Sequence, residues 1–554
     1  MKFQDITAIR PTRESLEGAH RAIHALLDDG ERREAIARWD ETRRAYETWS
    51  SLTYLHFSQD TANPEYKAER EYADEMGPVA TEFDTRVKRR LLDDEDRLAV
   101  EEAAGAYAVR LWESDVTTFD PAIAKDLEEE AKLDARYTEL LAGAKIEFGG
   151  KTLNLAGLTP YTESPDRETR HAAEAARWAF FAANGAELDE IYDKQVKLRH
   201  KMARTLGFDD FIPLGYRRMR RTDYGAADVA AYRDQVAEHV VPLVARLIEQ
   251  RRAKAGWDRV MFWDERLIDP EGNPKPEGDH DALVAAANAM FERMDGRLAG
   301  FYRSMNEGGF MDLKNRPTKA GGGFCTSFPS YGMPYIFANF NGTHHDVDVF
   351  THEMGHAFQN YESRNLPGID YLWPTSESAE IHSMSLEFLA YPHIEPLLGA
   401  QSDRYRRMHL IQALEFLPYG VLVDHFQHEV YARPEASPAE RHAMWRRLEA
   451  RYLPWRDYGD LAYPARGGRW QAQGHIYGVP FYYIDYTLAQ CCALQFWVKS
   501  RQDYAASMET YVKLCGLGGS APFGGLAEAA GLASPFRPGA LEAVVRMAAE
   551  TLAA

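Results

Sequence analysis

Cysteine is nearly missing from this chain, with Cys325, Cys491, Cys492 and Cys515 the only four in 554 residues. That excludes a fold stapled by disulfides; the adjacency of Cys491 and Cys492 suits separate bridges poorly, so reduced thiols are expected. Long apolar runs are missing too. The start, Met1-Lys2-Phe3-Gln4-Asp5-Ile6, has no apolar stretch behind its lysine, and no segment reaches the roughly 20 apolar residues that a bilayer span needs. No membrane-spanning helix is expected, and the cytoplasm is the expected compartment. The third absence is basic excess: 65 Lys and Arg stand against 85 Asp and Glu, a formal net charge of -20. Nucleic-acid phosphates are met by clustered Lys and Arg, so that class of partner is not expected either.

What is present is ordinary globular material, 45% apolar and 27% charged, which excludes a disordered or fibrous chain. The length admits roughly three or four domains, although large helical enzymes fuse these into one body. Amphipathic Ala, Leu, Glu and Arg patterns predict helices over about 13–49, 64–112, 121–142 and 165–206, and another from a Thr222-Asp223 cap to about 255. Residues 145–155 alternate around Gly149-Gly150, a hairpin signal. Residues 269–280, rich in Pro, Gly and Asp, form a surface loop. Between about 308 and 342 the character changes to Gly, Pro, β-branched and aromatic residues, and Phe324 to Phe328 and Pro334 to Phe340 predict a small sheet. From Asp346 onward helix returns, broken near Pro367, Pro434, Pro464 and the glycine-rich 516–525. That last segment lacks the preceding strand and following Lys-Ser/Thr of a nucleotide loop and is read as a mobile loop near a cleft.

Directly after the predicted sheet stands His352-Glu353-Met354-Gly355-His356. On a helix, residues four apart share a face, so the two imidazoles can meet one ion, a spacing that suits zinc. Glu353 projects beside them, where it can take a proton from a metal-bound water as general base without being a ligand. A catalytic zinc ion takes three protein ligands, so one more must come from elsewhere. No third histidine follows closely, since Gln359 and Glu362 occupy the next turns; a glutamate after roughly 18 or 19 intervening residues is also missing, Thr375 and Ser376 standing there. Glu377, Glu380 and Glu387 remain, on a helix opening near Pro374, with Glu380, Ser383 and Glu387 sharing a face. Glu380 is taken as the ligand, Glu387 as a carboxylate that orients a ligand histidine, and Glu377 as helix N-terminal charge.

The segments Gly323 to Thr326, Phe337 to Gly342, Asp346 to Asp348, His352 to Phe358 and Glu380 to Glu387 together resemble the oligoendopeptidase F branch of the thimet oligopeptidase superfamily. In length the chain resembles the Pz-peptidase type of that branch. In that family the carboxylate matching Glu380 is the third zinc ligand. The resemblance is strong over the C-terminal half; the helical N-terminal half is consistent with it but carries no specific motif.

Amide hydrolysis also needs donors for the developing oxyanion. The run Gly474 to Tyr486 holds one histidine and four tyrosines and resembles the family's His-and-Tyr segment facing the zinc. His475 and Tyr486 match best, Tyr483 lies one helical turn before Tyr486, and Tyr482 aligns less cleanly and is assigned to substrate binding. Tyr335, Phe337 and Asn339, on a strand whose edge would pair with an extended peptide, complete the expected substrate contacts.

The resemblance implies a mainly α fold, a large helical bowl with a deep substrate channel and a small β-sheet next to the metal-binding helix. Residues 1–205 would form one wall, and residues 206–554 the catalytic region. The expected function is a zinc-dependent oligopeptidase with one ion, cutting internal bonds of short peptides. The alternatives are a carboxydipeptidase of the same superfamily, which needs a positive group for the substrate's C-terminus, and a non-catalytic peptide-binding scaffold with structural zinc.

Overall fold

Most stretches of helical periodicity become helix, but the stretch expected over 13–49 is broken between Asp28 and Arg32, where Gly30 takes φ 81°. The structure is a computed structural model and describes every residue except Pro317 and Ala554. It is mainly α, opening with α1 (Arg13–Asp28), α2 (Arg32–Gln59) and α3 (Pro64–Leu92). Thr12 caps α1 by accepting from Ser15 N, and Asn63 caps α3 just ahead of Pro64, whose missing N–H is harmless in a first turn. The stretch expected to be helical to Trp112 is broken. Helix α3 stops at Leu92, and Gly105, at φ 92°, separates helices Arg97–Ala104 and Ala106–Asp115. Glycine takes that backbone readily, and any side chain there would strike the ring of Tyr371.

The hairpin forms as expected, β1 (Ile146–Phe148) pairing antiparallel with β2 (Lys151–Leu153) across Gly149-Gly150. Helix α4 (Arg167–Thr205) follows, capped by Asp166. The Thr222-Asp223 cap does not form: the next helix starts at Ala226 behind Gly225, and Asp223 instead accepts from Gly524 N at 2.7 Å.

The predicted sheet has three strands, β3 (Met311–Lys314), β4 (Phe324–Phe328) and β5 (Met333–Phe340), in the order β3-β5-β4. Strand β3 runs parallel to β5 and β4 antiparallel to it, so β5 is paired on both edges. Strand β5 delivers the chain to α5 (His345–Ser363), which carries the metal motif. The connection is pinned by Asp346, whose carboxylate accepts from Asn341 N at 2.8 Å and Gly342 N at 2.7 Å. Helix α6 (Ser376–Leu389) packs on α5, α8 (Tyr483–Gln502) packs on α6, and α7 (Ser402–Ala432) packs on α8, all four contributing to one apolar core. At Gly355 a Cβ would lie 2.6 Å from His382 O and 2.6 Å from Ser383 Cα. The glycine inside the metal motif is therefore what lets α6 approach α5.

The 516–525 segment is not the mobile loop expected of it. Gly518 and Gly519 press on the backbone of Tyr371 and Trp373, Gly519 N donates to Tyr371 O at 2.9 Å, and Phe523–Ala529 is helical. These glycines serve close packing rather than freedom. The helices up to Asp115 hold two apolar clusters of their own, joined from the C-terminal part by Tyr371, whereas α4 packs into the main core. Among the described residues no helix is long and apolar enough to cross a membrane.

Candidate metal centre

Because α5 and α6 touch at Gly355, the two imidazoles of α5 and a carboxylate of α6 face one point. His352 Nε2 lies 3.2 Å and His356 Nε2 3.3 Å from the same Glu380 oxygen, Oε2. Ligands held at about 2.0–2.2 Å around one zinc ion stand roughly this far apart. Three lone-pair-bearing atoms at such spacing repel one another unless a cation lies between them, so the donor set fits a divalent metal.

Hydrogen bonds fix each donor. His352 Nδ1 is 2.7 Å from Glu387 Oε1, which leaves Nε2 to face Glu380; Glu387 Oε2 reaches His409 Nε2 at 2.7 Å, and His409 Nδ1 meets Tyr391 OH at 2.7 Å. Ser383 Oγ donates to Glu380 Oε2 at 2.8 Å and Tyr482 OH donates to Glu380 Oε1 at 2.6 Å. Burial alone would raise the Glu380 pKa, but His356 and His352 hold it well below the usual carboxylate range. Glu353 is buried beside them with Oε2 free of hydrogen bonds, and burial raises its pKa, partly offset by the two histidines.

Across the site, His475 Nδ1 is 2.8 Å from Gln473 Nε2 and His475 Nε2 is 3.5 Å from Tyr486 OH. Burial lowers the His475 pKa, so the ring is neutral near pH 7. Its ring stacks on Tyr482 at 5.7 Å, and Tyr483 packs against it at 5.1 Å. His475, Tyr482, Tyr483 and Tyr486 thus form one cluster facing the histidine pair across Glu380.

The expected substrate strand is a different matter. Tyr335 and Phe337 are buried, the former accepting from Gln59 Nε2 at 3.1 Å and the latter stacked on Phe324 at 4.7 Å. Asn339 donates to Ala320 O at 2.8 Å and Gly322 O at 2.9 Å, holding the glycine turn. Strand β4 covers one edge of β5 from Met333 to Phe337 and β3 the other from Ile336 to Phe340, so over Tyr335 and Phe337 the outer strand on the side of Glu353 is β4, while the Asn339 amide is taken up by the glycine turn. His409, Tyr391, Ser383 and Gln473 were missed. Ser383 was visible on the Glu380 face, Gln473 stands two residues before His475, and Tyr391 stands four residues after Glu387, but His409, which joins Glu387 to Tyr391, arrives through folding alone.

A second trio among the described residues, Glu163 with His344 and His345, also brings donor atoms close. There His345 is already paired, with Glu163 at 3.4 Å and Asp348 at 3.6 Å. Only the first trio stands beside a buried carboxylate oxygen without a partner.

Fold and site together define a mainly α metallopeptidase. The chain matches the Peptidase M3 N-terminal domain over residues 3–119 and Peptidase family M3 over residues 160–271 and 300–545. It is 45% identical to a solved protein described as oligoendopeptidase F, covering 100% of this chain and 99% of that one with TM-score 0.97. To a Pz peptidase A solved with an inhibitor it is 42% identical, covering 100% and 99% with TM-score 0.97. To a protein from Bacillus anthracis, also described as oligoendopeptidase F, it is 40% identical, covering 100% and 98% with TM-score 0.92. No curated protein matches. The chain belongs to peptidase family M3, in the branch of oligoendopeptidase F and Pz peptidase, and is a metalloendopeptidase.

Proposed function

We propose that the metal is one zinc ion held by His352, His356 and Glu380, and that the enzyme cuts internal bonds of short peptides with Glu353 as general base and then acid. The observation that carries this is the convergence of both Nε2 atoms on Glu380 with the unpartnered Glu353 carboxylate beside them. Zinc bound there supplies a Lewis acid that lowers the pKa of a water and polarises the scissile carbonyl. Glu353, its pKa raised by burial, takes the water's proton and returns it to the leaving amine. Neutral His475 and Tyr486 donate toward the oxyanion, Tyr482 steadies Glu380 rather than the substrate, and Tyr483 positions His475 and Tyr486.

Room for peptide exists on both sides. A cavity of 560 Å³ between α2, α3 and residues 369–373 ends at Trp373, whose ring is 6.4 Å from that of His356. A second, of 260 Å³, is bounded by Phe416 and Tyr419, which pack on Tyr483. The peptide pairs with β4, and residues 1–205 wall the channel over a catalytic region of 206–554, α4 being shared with the catalytic core. All four thiols are free, which supports a cytoplasmic setting.

Incubation with end-blocked quenched peptides tests the reading. Zinc-loaded enzyme cleaves them internally, and a chelator stops it. Glu353→Gln keeps the metal while kcat falls about 100- to 10,000-fold; a variant as active as the wild type would refute the role of Glu353.

A further inference from the structure

The 260 Å³ cavity beyond Phe416 and Tyr419 is lined by four arginines and four glutamates. Each glutamate is engaged. Glu174 accepts from Trp178 Nε1 at 3.0 Å and faces Arg266 at 3.6 Å, Glu265 is held by Arg456 at 2.9 and 2.5 Å, Glu415 by Arg251, and Glu163 by His345 at 3.4 Å. Arg177 and Arg469 take part in no hydrogen bond or ion pair among the described residues, and the Nε of each is buried. Arg469 is held in place by aromatic faces instead, lying 5.2 Å over Tyr419 and 5.7 Å over Trp178. Burial and the neighbouring Arg266 lower the Arg177 pKa to about 10, with only a partial offset from Glu174, which already faces Arg266; at Arg469 burial also lowers the pKa, but Tyr419, Tyr458 and Glu174 raise it on balance.

Side-chain contacts link the wall of this cavity to the chemistry. Tyr419 OH donates to Gln473 Oε1 at 2.9 Å, and the same amide's Nε2 meets His475 Nδ1 at 2.8 Å. Arg469, Tyr419, Tyr483 and His475 form a chain of contacts with steps of 5.2, 5.8 and 5.1 Å. An extended peptide, at roughly 3.3 Å per residue, covers that path in no more than about five residues.

We propose that Arg177 and Arg469 receive the C-terminal carboxylate of the peptide substrate in this cavity and so set how far from the chain end the enzyme cuts. Guanidinium forks match carboxylate geometry, and an incoming carboxylate supplies the hydrogen-bond and ion-pair partner that neither half-buried arginine has among the described residues. A small cavity walled by α4 and α7 takes a chain end rather than a chain passing through. The inference rests on the peptidase reading above and adds to it a recognition device that couples substrate length to cleavage position.

The test uses quenched peptides of one sequence ending in a free acid or an amide, and a third, amidated, with Asp as its last residue. Zinc-loaded wild-type enzyme is expected to favour the acid over the amide by about 10- to 100-fold in kcat/KM, mostly through KM. In Arg177→Gln and in Arg469→Gln that ratio falls toward one; because both peptides meet the same enzyme preparation, partial misfolding cancels. A wild-type ratio near one, or a ratio unchanged in both variants, overturns the receptor while leaving the peptidase reading intact. Rescue of the amide by its terminal Asp to the level of the acid overturns the C-terminal assignment. Cleavage of none of the peptides by the zinc-loaded wild type sinks the peptidase reading and the receptor with it.

Discussion

His352 differs from an ordinary helical histidine in having both ring nitrogens committed, Nδ1 to Glu387 at 2.7 Å and Nε2 toward Glu380 at 3.2 Å. The carboxylate behind it fixes tautomer and ring angle, the support that metal-binding histidines generally need. Glu387→Ala is therefore expected to weaken zinc binding about 10- to 100-fold in a chelator competition titration; unaltered affinity would mean Glu387 does not orient the ligand. His352, Glu353 and His356 were legible because helical spacing is a local property. Glu380 was legible by elimination down to three glutamates together with the family resemblance, since its distance along the chain carries no periodic signal. His409, which completes the chain behind Glu387, could not be read at all: it sits on α7, and its approach is decided by packing. Tyr482 was assigned to substrate because an aromatic hydroxyl reads alike whether it meets a peptide or, as here, a carboxylate at 2.6 Å.

Helices α5 and α6 form the centre only because Gly355 removes a side chain from their contact. Gly355→Ala places a Cβ 2.6 Å from His382 O and from Ser383 Cα, so α6 must retreat. A stability loss of about 1–3 kcal/mol by denaturant unfolding, with weakened zinc affinity, is expected; a variant with both unchanged would show that the close approach is dispensable. Between α6 and α8, Glu377 and Asp485 share the buried Arg221, which bonds Asp485 at 2.6 Å. Burial, and then each other's charge in the case of Glu377, raises both carboxyl pKa values, so the folded pair retains a proton. A folded-state pKa above the unfolded value of about 4 means stability present at low pH and lost as pH rises through neutrality. Glu377→Gln, which copies the protonated form, should gain Tm over wild type as pH goes from 5 to 9 (assay values, about 5 and about 9). A constant Tm difference would contradict the shared proton. Most helix positions were legible from periodicity, but strand order was not: β5 is an apolar, aromatic run that reads alike in a middle or an outer place, and only the placement of β3 beside it shows that it is the middle strand.

At the scale of the whole molecule, the N-terminal helices are tied to the catalytic part by Asp370. It accepts from Arg43 Nη1 at 2.7 Å and Trp112 Nε1 at 3.1 Å, and Ile369 N donates to Asp40 at 2.5 Å next to it. Burial would raise the Asp370 pKa, but Arg43, Arg220 and Lys88 hold it below the ordinary range. Its contribution is thus present above about pH 4 and lost as pH falls further. Asp370→Asn leaves Arg43 with only the longer pair to Asp40 at 3.7 Å and should cost about 1–3 kcal/mol at neutral pH, with the difference from wild type shrinking in acid; equal stability would show that the helices are held without the Asp370 charge. The mainly α class was legible from helical pattern and the family resemblance, while this polar seam joins residues far apart in the chain and left no local trace. The central claim is that His352, His356 and Glu380 hold one divalent ion beside Glu353, and zinc stoichiometry measured on purified wild type, Glu380→Ala and Glu353→Gln tests it most directly. One zinc per chain in the wild type and in Glu353→Gln, with loss in Glu380→Ala, is the predicted result; full, tight zinc occupancy in Glu380→Ala would contradict it.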